Sequence, residues 1–227
     1  MQAIILAGGK ATRMRPYTDD RPKAMVEVAG TPIIERQLRW LTRNGVDEVV
    51  VSCGRWAEMI QEHLSNAALE ANLTYAVEPE PLGRGGGLKF AAGHLHDKDQ
   101  TFLALNGDVM ADFPVGELLE HHRSERALAT VALAAFQTSW GVADLDGGLI
   151  RGFIQSPVLP YWINGGIYAL EPAVVGMLPD KGDHEDSTFP QLAREGKLAG
   201  YRIQGYWRGI DTVKDVLEAT KELSASR

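Results

Sequence analysis

Met1-Gln2-Ala3-Ile4-Ile5-Leu6-Ala7-Gly8-Gly9-Lys10-Ala11-Thr12-Arg13-Met14-Arg15-Pro16 opens the chain, and the reading of that stretch decides the fold. Residues 2–7 form a short apolar run with the length of a buried strand. A glycine- and cation-rich loop follows, over residues 8–25. Between residues 10 and 23 it holds five cations (Lys10, Arg13, Arg15, Arg21, Lys23) and two acids (Asp19, Asp20), in a chain of net charge -7. A basic loop after the first strand of an acidic protein is a focused anion site. Its glycines let backbone N–H groups approach a phosphate, and its arginines add bidentate contacts. The loop lacks the G-K-[ST] of a P-loop and the spacing of the dinucleotide fingerprint. A surface loop of solvated charges is the competing reading.

Outward from that loop, short apolar runs alternate with helical patterns. Thr31-Pro32 reads as an N-cap and first helical residue, with Ile33, Ile34, Leu38 and Leu41 on one face and Asn44-Gly45 as the stop. Val49-Val50-Val51 is a strand, and Trp56, Ile60, His63 and Leu64 mark a helix. Residues 73–77 make another strand. Gly83-Arg84-Gly85-Gly86-Gly87 reads as a loop opening a helix from Leu88, and residues 101–105 form a strand ending in Asn106-Gly107-Asp108. Such alternation predicts an α/β fold, Rossmann-like, with a mostly parallel sheet flanked by helices and ligands outside the carboxyl ends of the strands. After residue 126 the pattern changes. Residues 127–136 read as a long strand, residues 142–154 as a hairpin turning at Asp146-Gly147-Gly148, and residues 163–170 as a strand interrupted by Gly165-Gly166. Short helices are expected after Pro172 and Pro190, and a last helix over residues 213–223. One domain is expected, with residues 1–125 as its first half and 126–227 as its second half, which carries a small β-rich lid.

The 227 residues are 44% apolar and 23% charged, enough for a sizeable core. With 23 basic and 30 acidic residues the chain is a poor phosphate-backbone binder, so no nucleic-acid partner is expected. The lone Cys53 excludes a disulfide framework and a Cys-rich metal site. No apolar run has the length of a membrane span, and the N-terminus enters its strand without a basic n-region or cleavage site. A cytoplasmic, reduced protein is therefore expected. His121-His122 and His94-x-His96 lack surrounding ligands and read as surface histidines.

The string Ile4-Ile5-Leu6-Ala7-Gly8-Gly9-x-x-Thr12-Arg13-Met14-x-Pro16-x-Thr18, then Pro22-Lys23, resembles the signature of the sugar-1-phosphate nucleotidyltransferases. Further segments match in order: Glu80-Pro81-Leu82-Gly83-x-Gly85-Gly86, Leu105-Asn106-Gly107-Asp108, Ile163-Asn164-Gly165-Gly166-Ile167-Tyr168, and Trp207 with Ile210-Asp211-Thr212 before a helix. The resemblance spans nearly the whole chain. It is strongest to small bacterial heptose- or mannose-1-phosphate guanylyltransferases and N-acetylmuramate-1-phosphate uridylyltransferases.

The resemblance implies that a sugar 1-phosphate attacks the α-phosphorus of a nucleoside triphosphate and pyrophosphate leaves. Such a reaction needs positioning and charge neutralisation more than covalent chemistry. Arg13 and Lys23 are the implied catalytic cations, Arg13 on the departing phosphates and Lys23 between the α-phosphate and the attacking one. Leu6, Ala7, Gly8, Gly9, Glu78, Gly83 and Asp108 are the implied nucleotide contacts. Mg²⁺ is the implied cofactor, on Asp108 and Asp211. For Asp108 the competing role is a turn aspartate capping residues 110–113. For Asp211 it is the N-cap of the last helix, with Asp215 the next candidate ligand. Many members carry W-x-D-x-G; here Gly209 holds the aspartate's place and Asp211 the glycine's.

A carboxylate at Glu78 or Glu80 can accept the N1–H and N2–H₂ pair of guanine, which favours GTP over UTP, dTTP, CTP and ATP. On the sugar side Gly141, Gln155 and Asn164 are the implied contacts. Phe153-Ile154-Gln155-Ser156-Pro157 stands where many members carry F-x-E-K-P, so both charges are missing. Arg208, with Arg151 competing, is expected to supply the cation for the sugar phosphate. The expected activity is guanylyl transfer to a heptose- or mannose-type 1-phosphate. The alternatives are uridylyl or thymidylyl transfer, choline-phosphate cytidylyl transfer, and a non-catalytic regulatory subunit that binds a nucleotide sugar. A homodimer is the expected assembly.

Overall fold

The computed structural model describes residues 1–9 and 14–225. β1 (Gln2–Leu6) enters the core directly. The loop after it passes through a 3₁₀ turn (Lys23–Met25) into a tight hairpin of β2 (Glu27–Val28) and β3 (Thr31–Pro32). α1 (Ile33–Arg43) buries Ile33, Ile34, Gln37, Leu38, Trp40 and Leu41, a stripe at helical spacing. It begins after Pro32, not at it, because Thr31 and Pro32 are held by the β2 pairing.

β4 (Glu48–Cys53), α2 (Ala57–Asn66) and β5 (Asn72–Val77) continue the alternation. α3 (Gly83–Ala92) contains the glycine cluster that reads as a loop in the sequence. Isolated glycines disfavour helix, but here tertiary contact overrides propensity. A Cβ on Gly86 would lie 2.5 Å from the Asp180 carbonyl oxygen, so only glycine lets the helix meet that segment. β6 (Phe102–Asn106), β7 (Val109–Asp112), α4 (Val115–Glu125) and β8 (Ala129–Gln137) follow. Next come the hairpin β9 (Gly141–Asp146) and β10 (Leu149–Gln155), then β11 (Val158–Leu170), which is longer than its apolar core suggests. After a 3₁₀ segment (Pro172–Met177), α5 (Thr188–Arg194) starts before Pro190, whose ring is tolerated in a first turn. β12 (Leu198–Arg202), β13 (Tyr206–Gly209) and α6 (Val213–Ala225) complete the chain.

The central sheet has seven strands in the order β12-β8-β11-β6-β1-β4-β5. β6, β1, β4 and β5 are mutually parallel, as are β8 and β12, and β11 runs against both of its neighbours. Alternate residues of β1 feed the two faces: Ala3 and Ile5 join one buried cluster, Ile4 the other. β1 lies between β4 and β6, so the sheet's switch point is beside it.

A third cluster fixes the site. Met14, Val26, Val28, Ile33, Met110, Ile210, Val216 and Ala219 are buried together, packing the turn after Lys23 against β7, the end of β13 and α6. Burying each of its valine, isoleucine and methionine side chains contributes ~1.5–3 kcal/mol.

His122 is not a surface histidine. It is 1% exposed, with Nδ1 at 2.7 Å from Thr130 Oγ1 and Nε2 at 3.0 Å from Glu171 Oε1. Partners on β8 and beyond β11 satisfy its ring, so α4 can bury it. The hairpin β9–β10 is the opposite case: Leu145, Leu149, Ile150, Phe153 and Ile154 are all more than half exposed. No helix among the described residues is long and apolar enough to cross a membrane.

Candidate active site

A cavity of about 360 Å³ opens at the carboxyl ends of β1 and β6. Its floor comes from Leu6, Ala7, Gly8 and Gly9 after β1 and from Asn106, Gly107 and Asp108 after β6. The two strand ends touch. Gly107 donates its N–H to the Leu6 carbonyl at 2.9 Å, and a Cβ at Gly107 would sit 2.5 Å from that oxygen. Lys23 and Ala24 line the cavity from the loop side, Glu78 from the end of β5, and Gly83 and Arg84 from the start of α3.

Lys23 joins two acids that lie far apart in sequence. Its Nζ donates to Asp108 Oδ2 at 2.6 Å and to Asp211 Oδ1 at 2.8 Å. The Lys23 side chain is 13% exposed, and those of Asp108 and Asp211 are 34% and 53% exposed. Asp108 is held from behind. Gln37, 2% exposed, donates Nε2 to the carbonyls of Asn106 and Val109, each at 2.8 Å. The Asp108 carbonyl accepts the Ile210 N–H at 2.8 Å, which ties β7 to the end of β13.

Asp211 is not the cap of α6. Thr212 and Asp215 form a reciprocal capping box: the Thr212 N–H donates to Asp215 Oδ2 at 2.8 Å, and the Asp215 N–H donates to Thr212 Oγ1 at 3.3 Å. The Asp211 side chain is thereby turned to Lys23. Asp108 and Asp211 together offer oxygen donors only, and no cluster of three or more His, Cys, Asp or Glu among the described residues adds a further ligand. That donor set fits a hard divalent cation that takes its other ligands from phosphate and water.

Glu78 is fixed at the far end of the cavity. Its Oε1 accepts Ser52 Oγ at 3.1 Å and its Oε2 accepts the Leu82 N–H at 3.1 Å. Glu80 lies outside, exposed and 3.3 Å from Lys181.

The segment after Met177 supplies residues that the sequence did not reveal. Asp183 lines the cavity and accepts both the Arg84 backbone N–H at 2.9 Å and Arg84 Nη2 at 2.8 Å. Arg84 Nη1 also donates to Glu185 at 2.9 Å. The Arg84 hydrogen bond holds Asp183 below the usual carboxylate range, while burial raises Glu185. Glu185 in turn accepts Asn164 Nδ2 and Tyr168 Oη, each at 3.2 Å. Arg84 and Asp183 are 99 positions apart, and nothing in the local pattern of either signals the pairing.

Of the other sequence-derived site residues, Arg13 lies outside the described residues. Gly141 and Gln155 face each other as register partners on the exposed hairpin and do not line the cavity. Asn164 lies beyond the lining too, but joins it through Glu185 and Arg84. Arg208 is held elsewhere: its guanidinium contacts Glu218 and meets Glu222 at 2.6 Å, on α6. The packing of β13 on α6 orients it there. Arg151 pairs with Asp146 at 3.2 Å across the hairpin turn, at a bulge in the pairing between Ile150 and Gly152.

A family model described as Nucleotidyl transferase matches residues 2–226. Mannose-1-phosphate guanyltransferase of Yarrowia lipolytica is 36% identical over 229 residues, covering 97% of this chain and 63% of that protein. Mannose-1-phosphate guanylyltransferase catalytic subunit beta of Xenopus tropicalis is 31% identical over 226 residues, covering 96% and 63%. The chain thus spans less than two thirds of the length of these relatives. Among solved structures, HddC from Yersinia pseudotuberculosis superposes with a TM-score of 0.78 at 23% identity, covering 98% of this chain and 99% of that one. That protein has also been solved complexed with GMP-PN, with a TM-score of 0.77 and the same coverage and identity.

Proposed function

The chain belongs to the nucleotidyl transferase family, and from that premise we propose that it transfers a guanylyl group from GTP to a mannose- or heptose-type sugar 1-phosphate. An oxygen of the sugar phosphate forms the new bond to the α-phosphorus of GTP. The bond from that phosphorus to the bridging oxygen of the β-phosphate breaks, and pyrophosphate leaves with the electron pair. The products are a GDP-sugar and pyrophosphate.

The observation that carries this reading is the Lys23 ammonium set between Asp108 and Asp211 at the edge of a cavity floored by Gly8 and Gly9. Lys23 stabilises the charge that builds on the α-phosphate as the bond forms. Gly8 and Gly9 admit the nucleotide close to the backbone. Glu78 accepts the N–H groups of guanine, a role its fixed carboxylate supports and the guanyltransferase names of the relatives favour. Asp108 and Asp211 would hold Mg²⁺, which supplies further neutralisation of phosphate charge when bound. Arg13 takes the departing phosphates. The nucleotide lies in the half formed by residues 1–125. Asn164 meets the sugar in the half formed by residues 126–227, where the hairpin acts as the lid. Retention of Lys23 with both carboxylates favours catalysis over a binding-only regulatory role.

The test is pyrophosphate release from GTP, UTP, dTTP, CTP and ATP against a panel of sugar 1-phosphates. Pyrophosphate and a GDP-sugar are expected from GTP with a mannose- or heptose-type 1-phosphate. No release from any pair would overturn the reading, and a clear preference for UTP or dTTP would overturn the assignment of the base.

A further inference from the structure

Asp215 stands outside the cavity, in the first turn of α6. Its Oδ2 accepts the Thr212 N–H at 2.8 Å, the Thr212 hydroxyl at 2.8 Å and the Asp211 N–H at 3.1 Å. Its other oxygen lies 3.8 Å from the Arg208 guanidinium. Helix capping accounts for the bonds to Thr212. It does not account for the bond to Asp211, which lies one residue ahead of the cap. That bond constrains the backbone of the one residue on this segment whose carboxylate reaches Lys23. Arg208 links β13 to α6 through Glu218 and Glu222, so the carboxylate of Asp215 is itself braced.

We propose that Asp215 is a positioning residue: it aims the Asp211 carboxylate at Asp108 so that the two close on one divalent cation, and Arg208 holds Asp215 in place. The proposal rests on the reading of Asp108 and Asp211 as the cation ligands. Asp215 is not offered as a ligand, since its Oδ2 is occupied by three donors. Side chains that orient metal ligands typically change affinity by ~10–100-fold when removed.

The experiment measures Mn²⁺ binding by electron paramagnetic resonance on the full chain with GTP present, together with thermal midpoints. Asp215→Ala should raise the Mn²⁺ dissociation constant ~10-fold. Asp215→Asn, whose amide oxygen can still accept from Asp211, should recover part of that loss and serves if the alanine variant folds poorly. Thr212→Ala removes the hydroxyl half of the cap but leaves the Asp211 bond, so it should lower the thermal midpoint with Mn²⁺ affinity unchanged. Wild-type affinity in Asp215→Ala overturns the proposal, and so does a loss in Thr212→Ala equal to that in Asp215→Ala. A wild-type chain that binds no Mn²⁺ overturns the cation reading and this proposal with it. Wild-type binding unaffected by Asp215→Ala overturns the proposal alone.

Discussion

Ile210 donates its backbone N–H to the carbonyl of Asp108 at 2.8 Å. This bond joins the two chain segments that carry the acids around Lys23, one residue from Asp211 on one side and at Asp108 itself on the other. Ile210 is fully buried, so the spacing of the acids is set by a packed apolar residue and a backbone bond together. The site is preorganised from below, and its polar groups can be altered without dismantling it.

Lys23→Ala tests the central cation. If its charge acts on the developing transition state, turnover should fall by ~10²–10³, with GTP affinity changed less. The check is kcat against GTP binding by calorimetry. Turnover near that of the wild type would remove Lys23 from catalysis.

Asp211→Asn separates a ligand from a helix cap. Thr212 and Asp215 do the capping, and a half-exposed ion pair is worth only ~0–1 kcal/mol. The thermal midpoint should therefore barely move, while activity falls at least ~100-fold and its Mg²⁺ dependence weakens. A stability loss with activity intact would reverse the assignment.

Glu78→Gln addresses the base. The amide can accept through one oxygen only: with that oxygen on the Leu82 N–H, its NH₂ donates to Ser52 Oγ, and the second acceptor for guanine is lost. The preference for GTP over UTP should narrow, read as the ratio of kcat/KM for the two nucleotides. An unchanged ratio would place base selection elsewhere.

His184 predicts a pH dependence of stability. It is fully buried, and neither ring nitrogen has a partner. Burial, the largest cause, lowers its pKa to about 4, with Arg84 adding to the shift. The unfolded chain takes up the proton near pH ~6.5 and the folded chain only near 4. Between those values the unfolded state holds more protons, so stability rises with pH and is lost as pH falls. His184→Leu should flatten that slope and raise the thermal midpoint at neutral pH, since two unsatisfied nitrogens are removed. A slope equal to the wild type's would assign the dependence to other groups.

Six of the sheet's seven strands were legible because each carries a short apolar run; β12, with Gly200 and Arg202 among its five residues, carries none and was not read. The loop after β1 was legible because its charge contrasts with an acidic chain. The glycines of residues 83–87 read as loop since local propensity is all a sequence displays; the helix exists because Asp180 and Gly182 press against it. His122 looked exposed beside His121, and only Thr130 and Glu171, distant in sequence, make its burial tolerable. Lys23, Asp108 and Asp211 were nameable from motifs, though not their shared contact. Arg208 was expected to serve the sugar phosphate in place of the charges missing at Gln155-Ser156; the acids of α6 that it meets in the structure have no signal in its local sequence.

The start of α3 has one more consequence. Its first N–H groups, those of Arg84, Gly85 and Gly86, donate to Asp183 Oδ1 at 2.9 Å and to the Gly182 carbonyl at 2.8 and 3.2 Å. A helix's positive pole normally lends an anion fixed backbone charge. Here a carboxylate of the same chain already sits on that pole and weakens it. An anion approaching the start of α3 finds three of its leading N–H groups already taken. At that end of the cavity its charge falls more to side-chain cations and dissolved ions, which bulk electrolyte screens over ~8–10 Å. Affinity at this end of the sheet is thus a property of the medium as much as of the protein.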